Sequence, residues 1–221
     1  MSAAQPGFEN AFGALRQFVK RRKDVERCEL CSAEVSADHP HLIEPAKRKL
    51  LCTCGACAIL FAGMGMKYKR VPRRVLALPD FHLGDAQWES LMVPISMAFF
   101  FRSTPDQRVI ALYPSPAGAT ESQLPLDTWK DIEEANPVLQ RMEADVEALL
   151  VNRVGYARGV AAPDYYVLPI DECYKLVGLI RAHWRGLSGG TEVWQEIGNF
   201  FSGLKERATV VRDVVGEEAN A

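Results

Sequence analysis

Five of the six cysteines lie between positions 28 and 57, and their spacing is typical of a metal site. They form Cys28-x-x-Cys31 and Cys52-x-Cys54-x-x-Cys57, with 22 residues between Cys31 and Cys54. Each Cys-x-x-Cys pair makes a tight turn that directs two sulfurs to one side, and structural zinc sites use four such ligands. The spacing therefore predicts that Cys28, Cys31, Cys54 and Cys57 hold one metal ion, with zinc as the expected cofactor.

The sequence alone leaves open which residues complete the set of ligands and which metal they hold. Cys52 is an alternative ligand to Cys54, although Gly55 favours a turn that joins Cys54 to Cys57. His39 and His41 lie between the two cysteine pairs and are candidates to contact the metal's ligands from outside the coordination sphere. Iron or an iron–sulfur cluster is the alternative cofactor, because thiolates also bind these.

The pattern of apolar residues predicts an α+β fold with the metal module near the N-terminus. Apolar spacing predicts a helix over 8–27, and short strands at 42–44 and 48–51 predict a zinc-ribbon-like module. The predicted divisions are an N-terminal helix at 1–27, the zinc-ribbon-like module at 28–66, a mixed α+β body at 75–205 and a weakly ordered tail at 206–221.

Within the body, the sequence predicts strands at 88–101, 109–113 and 165–170. Helices are predicted at 126–135, from Asn136 to about 151, from Asp171 and from Thr191. The segment 113–122 is rich in small residues and is predicted to be a loop.

Composition favours an ordinary globular protein of 221 residues, with 48% hydrophobic and 24% charged residues. The sequence contains no apolar run long enough for a membrane span, and its start lacks the pattern of a secretory signal. We therefore expect a cytoplasmic protein with reduced thiols and no membrane span. The sequence predicts no oligomeric state.

Charge is unevenly distributed along the chain. Residues 1–80 hold 14 Lys and Arg against 8 Asp and Glu, whereas the remaining residues hold 12 against 20. The basic stretch 67–74 raises the alternative of a nucleic-acid-binding zinc ribbon, but the acidic remainder argues against it.

Catalytic motifs give little support to an enzymatic role. The hydroxyl groups of segment 113–122 lack a neighbouring base in a nucleophile-elbow pattern, and the histidines form no metalloprotease motif. These observations favour a non-enzymatic protein and predict no catalytic residue.

Longer motifs carry a resemblance to a family. They are Cys28-x-x-Cys31, His39-x-His41-Leu42, Leu51-Cys52-x-Cys54-x-x-Cys57, the runs 111–122 and 145–151, and Pro169-Ile170-Asp171-x-Cys173-Tyr174. Over about residues 25–205, the chain resembles an uncharacterised bacterial family encoded in gene clusters for uptake NiFe hydrogenases of actinobacteria and related soil bacteria.

The resemblance implies an accessory protein for NiFe-hydrogenase assembly or function that acts by protein–protein contact. Its implied partners are hydrogenase subunits or maturation proteins. The segment 113–122 supplies the partner-binding candidates, which are Tyr113, Ser115, Gly118, Thr120 and Glu121. An iron-binding electron-transfer protein that partners a hydrogenase is the alternative function.

Overall fold

The computed structural model describes residues 25–63, 65–122, 126–156, 159–186 and 188–212. Near the N-terminal end of the described chain is a small sheet in which strand β1 (His41–Glu44) pairs antiparallel with both β2 (Lys49–Cys52) and β3 (Lys69–Arg70). A 3-10 turn at Pro45–Lys47 joins β1 to β2, and helix α1 (Gly55–Leu60) follows β2. The predicted zinc-ribbon-like arrangement is confirmed.

The body is built on a seven-stranded sheet. Its strands are β4 (Leu76–Ala77), β5 (Met97–Ser103), β6 (Arg108–Ser115), β7 (Gly118–Ser122), β8 (Glu147–Asn152), β9 (Asp164–Pro169) and β10 (Thr209–Val210). They lie in the order β10-β4-β9-β8-β5-β6-β7, and every neighbouring pair is antiparallel except β10 with β4.

Both faces of this sheet are covered. Helices α2 (Asp85–Ser90) and α3 (Leu126–Ala135) and the 3-10 turn Pro137–Arg141 lie on one side, where Phe100 stacks on Trp129. On the other side, Phe99 and Phe101 face helices α4 (Ile170–His183) and α5 (Gly190–Arg207). The predicted α+β class is thus confirmed as a sheet between two helical layers.

Three of the predicted body elements differ from the structure. The predicted strand at 88–101 begins only at Met97, because Trp88 belongs to α2. The predicted loop at 113–122 is a β-hairpin in which Ser115 pairs with Gly118. The predicted long helix from Asn136 is a 3-10 turn followed by β8. Alternate side chains of β8 pack into the two cores on opposite faces of the sheet, so residues 148–151 of the strand are all apolar. A continuous apolar run of this kind lacks the alternation of a half-buried strand and can be mistaken for a buried helix in sequence.

The predicted ends of the chain fall partly on other residues. The predicted N-terminal helix lies mostly outside the described residues, and at its end Arg27 forms an extended bridge with Glu34. Within the predicted tail, the structure places the end of α5 and strand β10. Residues 213–221 lie outside the description. None of the described helices is long and apolar enough to cross a membrane.

Apolar and ionic contacts join the metal module to the body. Ile43 of β1, together with Val71 and Val75, belongs to the buried cluster beneath α4 and α5. Arg74 forms a two-point ion pair with Glu147, with its Nη2 at 2.7 Å from Oε2. The Glu147 side chain is 0% exposed, so this carboxylate depends on its partners for stabilisation.

Replacing Arg74 by Met should therefore destabilise the protein by about 3 kcal/mol, because a buried carboxylate loses its counter-charge. Arg73→Met is the matched control: Arg73 pairs with Asp38, whose side chain is 87% exposed, and its loss should cost less than about 1 kcal/mol. Urea unfolding followed by circular dichroism measures both. Equal destabilisation of the two variants would contradict this assignment.

Candidate metal centre

The four cysteines predicted as metal ligands converge on one point. The Sγ atoms of Cys28, Cys31, Cys54 and Cys57 all lie within 4.8 Å of one another. Cys31 Sγ is 3.7 Å from Cys54 Sγ, too far for a disulfide. A tetrahedron with metal–sulfur bonds of about 2.3 Å has edges of about 3.8 Å, so this spacing fits a tetrathiolate metal centre.

Local backbone geometry builds each half of the cluster. Cys28 and Cys31 lie in a turn closed by the Ser32 N–H donating to the Cys28 carbonyl at 2.8 Å. Cys54 is the N-cap of α1, and its sulfur accepts a hydrogen bond from the Cys57 N–H at 3.5 Å. The Glu29 N–H donates to the Cys52 carbonyl at 2.8 Å and ties the two halves together.

The thiols of the cluster differ in acidity in the metal-free protein. Burial raises the pKa of the Cys28 thiol, but the backbone N–H groups of Cys54, Cys31 and Leu30 outweigh it and lower this pKa to about 6. Burial, followed by hydrogen bonds to neighbouring cysteine sulfurs, raises the pKa of Cys57 to about 12. Because ligating sulfurs must be deprotonated, metal binding releases protons and weakens as the pH falls.

Cys52 lies outside this cluster. The structure groups it with His39 and His41, with one ligand atom from each of the three within 4.8 Å of the others. Strand register explains the grouping, because His41 is directly opposite Cys52 in the β1–β2 pair. The sixth cysteine, Cys173, is fully buried in the body core on α4.

The partner-binding candidates of segment 113–122 are spread over a hairpin. Ser115 is occupied within the turn, where its hydroxyl donates to the Gly118 carbonyl and lies 3.1 Å from Thr120 Oγ1. Glu121 forms ion pairs with two arginines. Tyr113 and Ser115 line an apolar groove of about 830 Å³ between the sheet and α5, whereas the other three candidates do not.

Most of the basic stretch 67–74 is engaged within the chain. Of its five basic residues, four pair with carboxylates: Lys67 with Glu44, Lys69 with Asp145, Arg73 with Asp38 and Arg74 with Glu147. These pairs reduce the positive charge that the stretch presents to phosphates.

A comparison with family models matches residues 27–208, which span the metal module and the body. The chain belongs to DUF5947, a family of unknown function. The predicted membership of an uncharacterised family is therefore confirmed. No curated protein and no solved structure matches the chain. Because the family has no assigned function, the match gives no activity for this chain. The evidence for the function of the DUF5947 chain is therefore the geometry of its own residues.

The contact between His41 and Asp171 has no counterpart in local sequence patterns. His41 Nδ1 lies 2.7 Å from Asp171 Oδ2, although the two residues are 130 positions apart. The contact forms because the module packs over the start of α4. The sequence marks both partners separately, through the His39-x-His41 spacing and through the helix start at Asp171, but nothing in it pairs them.

Cys54→Ser should abolish the tetrathiolate centre, whereas Cys52→Ser should leave it intact. The expected readout is the visible spectrum of the cobalt-substituted protein, in which four thiolates give an intense tetrahedral spectrum. The Cys54 variant should also lose much of its thermal stability, because metal binding contributes to folding. Loss of the tetrathiolate spectrum in the Cys52 variant and its retention in the Cys54 variant would reverse the ligand assignment.

Proposed function

We propose that this DUF5947 protein is a zinc-stabilised accessory protein that acts by binding another protein. The convergence of four cysteine sulfurs carries this proposal. A centre with four protein ligands has no free coordination position for a substrate, which is the arrangement of structural rather than catalytic zinc sites. Zinc bound there would hold the Cys28 turn against the start of α1.

The metal module also carries an exposed apolar surface suited to a partner. Ile59 and Leu60, at the end of α1, are 70% and 69% exposed, and Phe61 and Met66 follow as exposed residues. We call these four side chains the α1 patch. Adjacent exposed apolar side chains are typical of protein-binding surfaces. The patch immediately follows Cys57, so the metal centre would fix its position.

The expected partner follows from the sequence resemblance. It implies a subunit or a maturation protein of a NiFe hydrogenase, and we propose that such a protein covers the α1 patch. The position of the patch supports a mechanism in which the metal positions a docking helix and takes no part in chemistry.

Electron transfer is the second candidate, and one observation favours it. Cys31 is exposed, so one edge of the metal centre lies at the protein surface, within reach of a redox partner. Protein purified without oxygen distinguishes the two roles. Zinc without visible absorbance supports docking, whereas iron with thiolate charge-transfer bands supports electron transfer.

The docking role is tested by the double substitution Ile59→Ser and Leu60→Ser. Purified NiFe-hydrogenase subunits and maturation proteins are titrated onto the full chain by calorimetry. The double variant should bind its partner at least ~10-fold more weakly, because it loses the apolar area that two side chains would bury in the interface. Its content of metal at the cysteine cluster should not change, since neither side chain is buried.

Val210→Ser is the matched control, because Val210 is 59% exposed and lies on β10 of the body, outside both the α1 patch and the hairpin at 113–122. This variant should bind as the unsubstituted chain does. Binding of the double variant with unchanged affinity, or no binding of any hydrogenase component to the unsubstituted chain, would overturn the proposal.

A further inference from the structure

His39, His41 and Cys52 form a second group of metal-ligating side chains, separate from the four-cysteine centre. One nitrogen of each imidazole and the Cys52 sulfur lie within 4.8 Å of one another. Metal–nitrogen bonds of about 2.0 Å and a metal–sulfur bond of about 2.3 Å give ligand separations of about 3.3–3.6 Å in a tetrahedron. The observed separations, up to 4.8 Å, are longer than these, so binding of one ion by all three donors would draw them closer together.

Hydrogen bonds orient both imidazoles for metal binding. His39 Nδ1 lies 2.7 Å from the Ser36 carbonyl, which can only accept, so this nitrogen carries the proton. His41 Nδ1 lies 2.7 Å from the carboxylate of Asp171. In both rings the lone pair left for an ion is on Nε2. A histidine held by a carboxylate or carbonyl at its other nitrogen is the usual arrangement around protein-bound metals.

The Nε2 atom of His39 gives independent support. It is buried, and within the described residues it has no hydrogen-bond partner. The His39 side chain is only 6% exposed. A buried polar atom without a partner costs about 1–3 kcal/mol, and coordination to an ion would remove that cost.

The surroundings of the three side chains suit an ion with an open coordination position. They line a cleft of about 690 Å³ between the metal module and the body, whose opposite wall includes Asp171 and Tyr174. The Asp171 carboxylate and a Cys52 thiolate together offset the charge of a divalent ion. Three protein ligands with a fourth position open to a cleft are typical of zinc sites that bind an exogenous ligand.

We propose that His39, His41 and Cys52 form a second metal site, which binds Zn²⁺ or a similar divalent ion through two imidazoles and one thiolate. Its fourth coordination position faces the cleft, where a small ligand with a nitrogen, oxygen or sulfur donor can bind. This inference is independent of the proposed docking role, because the metal content of the isolated chain tests it without any partner.

The first test is the zinc stoichiometry of the full chain, reconstituted under reducing conditions and freed of loosely bound metal. The unsubstituted chain should hold about two equivalents, and His41→Gln and Cys52→Ser should each hold about one. His183→Gln is the matched control, because His183 pairs with exposed Glu192 outside the cleft, and it should keep both equivalents. One equivalent in the unsubstituted chain would overturn the proposal.

A measurement on the unsubstituted chain removes any dependence on the folding of variants. Cobalt is added to protein whose four-cysteine centre already holds one equivalent of zinc. X-ray absorption at the cobalt edge should show two imidazoles and one sulfur. A coordination sphere of oxygen ligands only, or of four sulfurs, would contradict the site.

Asp171→Asn tests the positioning role of the carboxylate, which touches His41 and not the ion. It should weaken cobalt binding at the second site by roughly 10–100-fold while the tetrathiolate centre is unchanged. Unaltered cobalt affinity would show that the contact between Asp171 and His41 does not serve a metal.

Discussion

The convergence of four cysteine sulfurs is the constraint on which the structure of the metal module depends. It joins the turn at Cys28 to the start of α1, which the hydrogen bond from the Glu29 N–H to the Cys52 carbonyl also links. The sheet of the module is small, since β3 has only two residues and β1 and β2 have four each. A sheet this small gains little stability on its own, and a metal ion held by the four cysteines would add to it.

The body differs because it stabilises itself through burial on both faces of its sheet. Phe99 and Phe100 are fully buried on opposite sides, and the helices above and below complete the two cores. The module adds Ile43 and Val71 to one of these cores, and the pair of Arg74 with Glu147 holds the same junction. The position of the metal module on the body is therefore determined by apolar packing and a buried ion pair.

Much of the fold could be predicted from the sequence, and the failures have physical causes. The cysteine spacing predicted the cluster because each half is local, and helix α3 was predicted because its apolar period is distinct. Strand β8 resembles a helix in sequence, since burial on both faces removes the alternation that marks a strand. The grouping of Cys52 with His39 and His41 needed the register of β1 with β2, and the contact to Asp171 needed the tertiary packing of α4. Neither is encoded in local spacing.

The most direct test of this account is hydrogen–deuterium exchange of the full chain before and after removal of metal with a chelator under reducing conditions. If the metal clamps the module, the amides of β1, β2 and α1 should lose protection when the metal is removed. The amides of β5, β8 and β9, buried between two helical layers, should stay protected. Unchanged protection of the module would contradict the claim that the four-cysteine centre holds it together.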